Sequence, residues 1–261
     1  MKKFSLVQNF ICTQPQRLEV VKRNTIKLGD TFPDIDFFVN YNSDNENWKP
    51  IKEHYLTNVP KINLFNNLVK DWALITLAMV KEAGLVDQIT VLKQDYRELS
   101  GSYDKLVSVE MIEAVGLDHM PTYLQKCASL LKPNGTMLLQ SITIADQHYD
   151  MASRSVDFIQ RYIFPGGALP SVTSLVTEAT RSTDLRSYGL EDLTEHYAMT
   201  LHMWREAFWA AVPQIRELGF DDHFIRMWDY YLAYCEGGFM ERAIGCTHLQ
   251  FHKPKYRRDL V

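Results

Sequence analysis

The rhythm of hydrophobic and polar positions changes near residue 70. Downstream of it, short β-rich apolar runs at residues 89–92, 105–109 and 137–144 are each bounded by polar or turn-forming residues, the pattern of buried strands. Between the last two runs, Met120, Tyr123, Leu124, Cys127, Leu130 and Leu131 recur at helical spacing. Lys132-Pro133-Asn134-Gly135 follows, supplying a breaker and a residue able to take positive φ. This is a strand-helix-strand crossover, and such alternation predicts a parallel sheet flanked by helices.

The C-terminal third reads as mostly helical. Tyr197, Leu201, Trp204 and Phe208 share one helix face, and Phe224, Trp228, Tyr231 and Cys235 repeat the spacing, so both stripes are expected to face a core. Thr247-His248-Leu249-Gln250-Phe251 alternates like an edge strand before a basic tail of Lys253, Lys255, Arg257 and Arg258. The first 70 residues give a weaker signal. They are rich in asparagine between Asn40 and Asn67, with Asp36-Phe37-Phe38-Val39 as one short extended piece. The expected organisation is an irregular N-terminal lobe over residues 1–70 and one α/β domain over residues 71–261.

Composition narrows the function. With 46% hydrophobic and 23% charged residues, the chain is an ordinary globular one. Its 28 basic and 32 acidic residues, net charge -4, argue against a nucleic-acid binder working through a broad cationic face. The four cysteines lie far apart with no C-x-x-C pair, which disfavours a disulfide framework or thiolate zinc site and suits a reducing, cytoplasmic setting. Gln8 and Asn9 interrupt the apolar start before signal-peptide length, so no export is expected. The longest apolar run, residues 72–80, is well short of the ~20 residues that span a bilayer. A membrane is therefore expected to be touched, not crossed.

Several ordered segments carry a resemblance. They are Val80-Lys81-Glu82-Ala83-Gly84-Leu85, Gln94-Asp95-Tyr96-Arg97-Glu98-Leu99, and the stretch from Tyr103 through Glu110-Met111-Ile112-Glu113-Ala114-Val115 to Gly116. Then follow Tyr162-Ile163-Phe164-Pro165-Gly166-Gly167-Ala168-Leu169-Pro170-Ser171, His196-Tyr197-Ala198-Met199-Thr200-Leu201, and Tyr230 through Cys235-Glu236-Gly237-Gly238-Phe239. Over residues 75 to 255 the chain resembles the S-adenosylmethionine-dependent cyclopropane fatty acid synthases, including the mycolic acid cyclopropane synthases. The resemblance implies a class I methyltransferase fold, a Rossmann-like, mainly parallel sheet whose last strand, residues 247–251, is antiparallel.

It also implies an activity: transfer of the sulfonium methyl of S-adenosylmethionine to a cis double bond in an unsaturated phospholipid acyl chain, with proton loss closing a cyclopropane ring. An alkene is a poor nucleophile, so such a catalyst needs an electrophilic methyl, an apolar tunnel and a shielded base. In the family that base is thought to be a bicarbonate ion. The resemblance assigns its contacts to Glu113, Tyr197, Gln140 at the family's histidine position, and the backbone amide of Ile142. Gln140 can donate a hydrogen bond but cannot titrate as imidazole does. Cys235 aligns with a cysteine given a catalytic role by signature, although an apolar helix face favours simple packing. Asp95 and Tyr96 match the segment flanking the cofactor's adenine.

One element is absent. The fold's usual glycine-rich turn after the first strand lets the backbone approach the cofactor, yet Gly29 is the only glycine before Gly84. The family's cysteine contact to the ion has no counterpart in the matched text either. The sheet is therefore expected to lack or degrade its first strands. A homologue that has lost catalysis and acts as a lipid- or protein-binding module is the alternative reading.

Overall fold

A computed structural model describes residues 4–8 and 35–39 as strands, and residues 80–257 apart from 83 and 88. The elements, in chain order, are β1 (Phe4–Gln8), β2 (Ile35–Val39), β3 (Val91–Lys93), β4 (Tyr103–Val109), α1 (Ile112–Val115), α2 (Met120–Leu130), β5 (Leu131–Ile144), α3 (Asp146–Ala152), α4 (Phe158–Tyr162), α5 (Val172–Ser182), β6 (Arg186–Asp192), α6 (Thr194–Ala210), α7 (Val212–Glu217), α8 (Asp222–Met240) and β7 (Ile244–His252). They form a seven-stranded sheet in the order β3-β2-β1-β4-β5-β7-β6. Strands β1 to β5 pair in parallel, and β7 runs antiparallel to both β5 and β6.

The expectation of a sheet missing its first strands is corrected by this order. Phe4–Gln8 lies between β2 and β4, with Gln8 opposite Val109, and Ile35–Val39 lies between β1 and β3. Two short apolar runs far upstream of the resembling segments thus complete the sheet. Pairing fills a sheet position with any strand of suitable length and polarity, wherever it stands relative to a motif.

The terminal alternating run also differs from expectation. It is β7, an inner strand, because β6 pairs along its outer side. β6 itself is exposed at almost every position, so it carries no hydrophobic alternation by which a sequence reading could find it. At Gly135 the need is space, not positive φ: a Cβ would stand 3.1 Å from the Asp104 carbonyl and the Leu131 side chain, where β5 slips register against β4.

The two sheet faces carry separate cores. On one, Leu106, Met137, Leu139, Leu249 and Phe251 pack against Tyr123, Leu124 and Cys127 of α2 and Leu175 and Ala179 of α5. On the other, Ile142, Ile244 and Cys246 meet Leu201 and Phe208 of α6 and Ile225, Leu232 and Phe239 of α8. The expected α6 stripe faces this core. On α8 the fully buried line is Ile225, Leu232 and Phe239, while Trp228, Tyr231 and Cys235 flank it. Trp228 and Tyr231 thus flank a centre filled by Leu201, Phe208, Ile225, Leu232 and Phe239.

Candidate active site

Open parallel sheets collect ligands beyond the carboxyl ends of their strands, where the strand order reverses. Here the reversal lies between β1 and β4. β4 ends at Val109, and Glu110 continues its ladder by one backbone bond, N–H to the Gln140 carbonyl at 2.9 Å. Glu110 then turns the chain at φ +49°, a left-handed conformation that costs a non-glycine residue about 1–2 kcal/mol. This turn starts α1, which carries Glu113 in its first turn.

The Phe164-to-Ser171 connection holds α1 in place. Ala168 N–H donates to the Glu113 carbonyl at 2.9 Å, and Gln160 Nε2 donates to the Gly167 carbonyl at 3.0 Å. A Cβ on Gly167 would sit 3.1 Å from the Phe164 carbonyl and 3.4 Å from that of Glu113, so the close approach depends on glycine. The resembling segment from Tyr162 to Ser171 thus serves as the clasp on the Glu113 turn.

The Glu113 carboxyl points inward. Its Oε1 accepts from Ile142 N–H and from Ser141 Oγ at 3.0 Å, while its Oε2 is shut off from solvent and has no hydrogen-bond partner. Burial first, then the neighbouring Glu110 charge, pushes the carboxyl from 4.5 up to about 8. Beside it, Glu110 accepts from Gln140 Nε2 at 2.8 Å on one oxygen and from the Tyr197 hydroxyl at 2.8 Å on the other. Tyr197 reaches across from α6, stacked on Phe239 at 4.6 Å between ring centres. Burial and the adjacent Glu110 hold its hydroxyl well above the ordinary range, so it acts as a donor.

A further layer stands behind Gln140. His248, its cross-strand neighbour on β7, approaches Gln140 Oε1 through Nε2 at 2.9 Å and Glu191 Oε2 through Nδ1 at 3.2 Å. With Oε1 turned to His248, the Gln140 amide must aim its Nε2 donor at Glu110. Cys246, fully buried opposite Ile142, is kept protonated by burial and by the two glutamates.

Glu113, Gln140, Ile142 and Tyr197 therefore meet in one hydrogen-bonded cluster. The sequence reading missed Glu110, Ser141, His248 and Cys246. Glu110 lies within a quoted segment three residues before Glu113, and Ser141 lies between Gln140 and Ile142, whereas His248 and Cys246 reach the site only through β5–β7 pairing. Cys235 stands apart on α8, and burial and then the Asp157 charge push its thiol up to about 12, which leaves no thiolate near neutrality. Asp95 and Tyr96 sit just past β3, on the same sheet edge as Glu110. Asp95 holds Arg97 through Nε at 3.0 Å and Nη2 at 2.6 Å, which lowers its carboxyl. Tyr96 meets Tyr123 edge-on at 5.8 Å.

The donors expected to hold a bicarbonate ion are thus already spent: Gln140 and Tyr197 on Glu110, and Ile142 N–H on Glu113. This arrangement does not fit a captured ion. At the β3 edge, both Asp95 oxygens accept from Arg97, and the Tyr96 ring stands beside them. Among the described residues, no cluster of His, Cys, Asp and Glu suits a metal, and no helix is long and apolar enough to cross a membrane.

The strand order and the site at its reversal define a class I S-adenosylmethionine-dependent methyltransferase fold. The family profile for mycolic acid cyclopropane synthetase matches residues 52–249, and the chain belongs to that family. It is 43% identical over 161 residues to the tuberculostearic acid methyltransferase UfaA1 of Mycobacterium tuberculosis, covering 61% of this chain and 38% of that protein. It is 37% identical over 169 residues to the cyclopropane-fatty-acyl-phospholipid synthase of Escherichia coli, covering 63% and 41%. The chain thus spans about two fifths of these relatives' length. The mycolic acid cyclopropane synthase CmaA1, solved with SAH and CTAB, superposes with a TM-score of 0.70 at 19% identity, covering 97% of this chain and 79% of that one.

Proposed function

We propose that the chain acts as an S-adenosylmethionine-dependent transferase that adds a one-carbon unit to the double bond of an unsaturated phospholipid acyl chain and forms a cyclopropane ring. The observation that carries this reading is the convergence of Glu113 from α1, Gln140 and Ile142 from β5, and Tyr197 from α6 on one part-buried carboxylate cluster at the strand reversal. Family membership and the fold support it.

S-adenosylmethionine, when bound, supplies an electrophilic methyl. Asp95 and Tyr96 orient the nucleoside end. Tyr197, Gln140 and the Ile142 amide fix the carboxylates by donating to them, and the aromatic set of Tyr197, Phe239, Trp204 and Tyr231 lines the adjacent core. Ring faces of this kind stabilise a carbocation by about 2 kcal/mol or more when water is excluded. Phe158, Tyr162, Tyr230 and Tyr234 form an aromatic surface on α4 and α8, three of them well exposed. That surface suits a peripheral approach to lipid.

The test is incubation of the purified chain with methyl-labelled S-adenosylmethionine and vesicles of monounsaturated phospholipid. Label is expected in the acyl chains, with mass spectrometry showing a gain of one CH2. Unlabelled lipid, together with calorimetry showing no S-adenosylmethionine binding, would overturn the reading.

A further inference from the structure

We propose that Glu110 is the proton acceptor of this reaction, a carboxylate built into the chain at the place the family gives to a captured bicarbonate ion. The inference rests on the function proposed above and goes beyond it in naming the base.

The geometry is that of an anion site already filled. Gln140 and Tyr197 each donate to a different Glu110 oxygen at 2.8 Å. A carboxylate and a bicarbonate ion present the same planar pair of acceptor oxygens, so one set of donors serves either but not both at once. Behind Gln140, His248 places Nε2 2.9 Å from Gln140 Oε1 and Nδ1 3.2 Å from Glu191 Oε2, and a proton on Nε2 turns the amide so that its own N–H faces Glu110. That layer has no evident purpose for a solvated glutamate; it fixes the direction of one N–H at Glu110.

Two further features bear on the same point. Glu110 keeps φ +49°, a conformation shared by only one other non-glycine among the described residues, Arg242. Strain of this kind persists where the surroundings over-determine a residue, and it gathers at functional sites. The unpartnered Glu113 Oε2 lies buried beside it. Burial first, then the neighbouring Glu110, drives Glu113 toward its neutral form.

The step balances. The alkene π pair forms the new carbon–carbon bond as the carbon–sulfur bond breaks and leaves its pair on sulfur, placing positive charge on the neighbouring acyl carbon. A C–H of the transferred methyl gives its proton to a Glu110 oxygen, and its bonding pair closes the ring. Glu110 returns that proton to water after product leaves.

Glu110→Gly tests the proposal, because it removes the carboxylate and relieves the backbone strain together; its melting temperature should match or exceed that of the parent chain. In carbonate-depleted buffer, titration with 13C-bicarbonate followed by NMR should show no binding to the parent chain and saturable millimolar binding to Glu110→Gly. Parent turnover should be indifferent to bicarbonate, Glu110→Gly should fall by roughly 100-fold or more, and added bicarbonate should restore at least about one tenth of the parent rate. Bicarbonate binding by the parent chain, loss of its turnover in depleted buffer, or undiminished turnover by Glu110→Gly would each overturn the proposal. If neither protein transfers methyl, the function proposed above fails, and the binding comparison alone decides whether Glu110 fills an anion site.

Discussion

Glu113→Gln isolates the energetic cost of the buried carboxyl. Glutamine keeps the shape and the acceptor for Ile142 N–H and Ser141 Oγ, but carries no charge at any pH. In the folded chain Glu113 holds its proton up to about 8, while in the unfolded chain it releases it near 4.5. Between those values the folded state binds more protons than the unfolded state, so raising the pH favours unfolding, with a slope approaching about 1.4 kcal/mol per pH unit. The stability is fully present below pH 4.5 and is lost as pH rises through 8. From pH 5 to pH 8 the parent chain should lose about 3–4 kcal/mol relative to Glu113→Gln. Urea unfolding of both proteins at pH 5, 6.5 and 8, followed by tryptophan fluorescence, measures this directly. Titrating groups remote from Glu113 are common to both and cancel in the difference. Parallel stability curves would refute the reasoning, since they would mean that Glu113 is ionised without penalty in the fold.

Three other outcomes are expected. Tyr197→Phe keeps the stack on Phe239 but removes one donor to a carboxylate, a bond of roughly 1.5–3 kcal/mol. Methyl transfer should fall by about 10- to 100-fold with little change in KM for S-adenosylmethionine. Cys235, with its thiol near 12, should resist iodoacetamide at pH 7, and Cys235→Ala should keep turnover within about two-fold, as peptide mapping and the lipid assay will show. Asp221 caps the 19-residue α8 by accepting from Phe224 N–H at 2.9 Å; Asp221→Ala should cost about 1 kcal/mol in urea unfolding without altering S-adenosylmethionine binding.

Much of this was legible in the sequence where local pattern and site coincide. The β4–α2–β5 crossover announces itself by apolar runs and helical spacing, because each element buries a continuous face. Glu113, Gln140, Ile142 and Tyr197 were named through resemblance, and the fold gathers them. His248 and Cys246 could not be found in that way. They sit more than a hundred residues from Gln140 and Ile142 along the chain and become neighbours only by antiparallel register. The apolar helix face around Cys235 was legible, whereas the arginine held by Asp95 was not.

The amino-acid order by itself determined the family, the crossover core and the chemical kinds of group available to the site, since these follow from local periodicity and motif. Only tertiary structure decided that Phe4–Gln8 and Ile35–Val39 complete the sheet, and that the terminal strand lies inside it. It also decided which acceptor each donor serves. Hydrogen-bond partners and desolvation depend on what packing brings within about 3 Å and away from water, and no reading along the chain contains those distances.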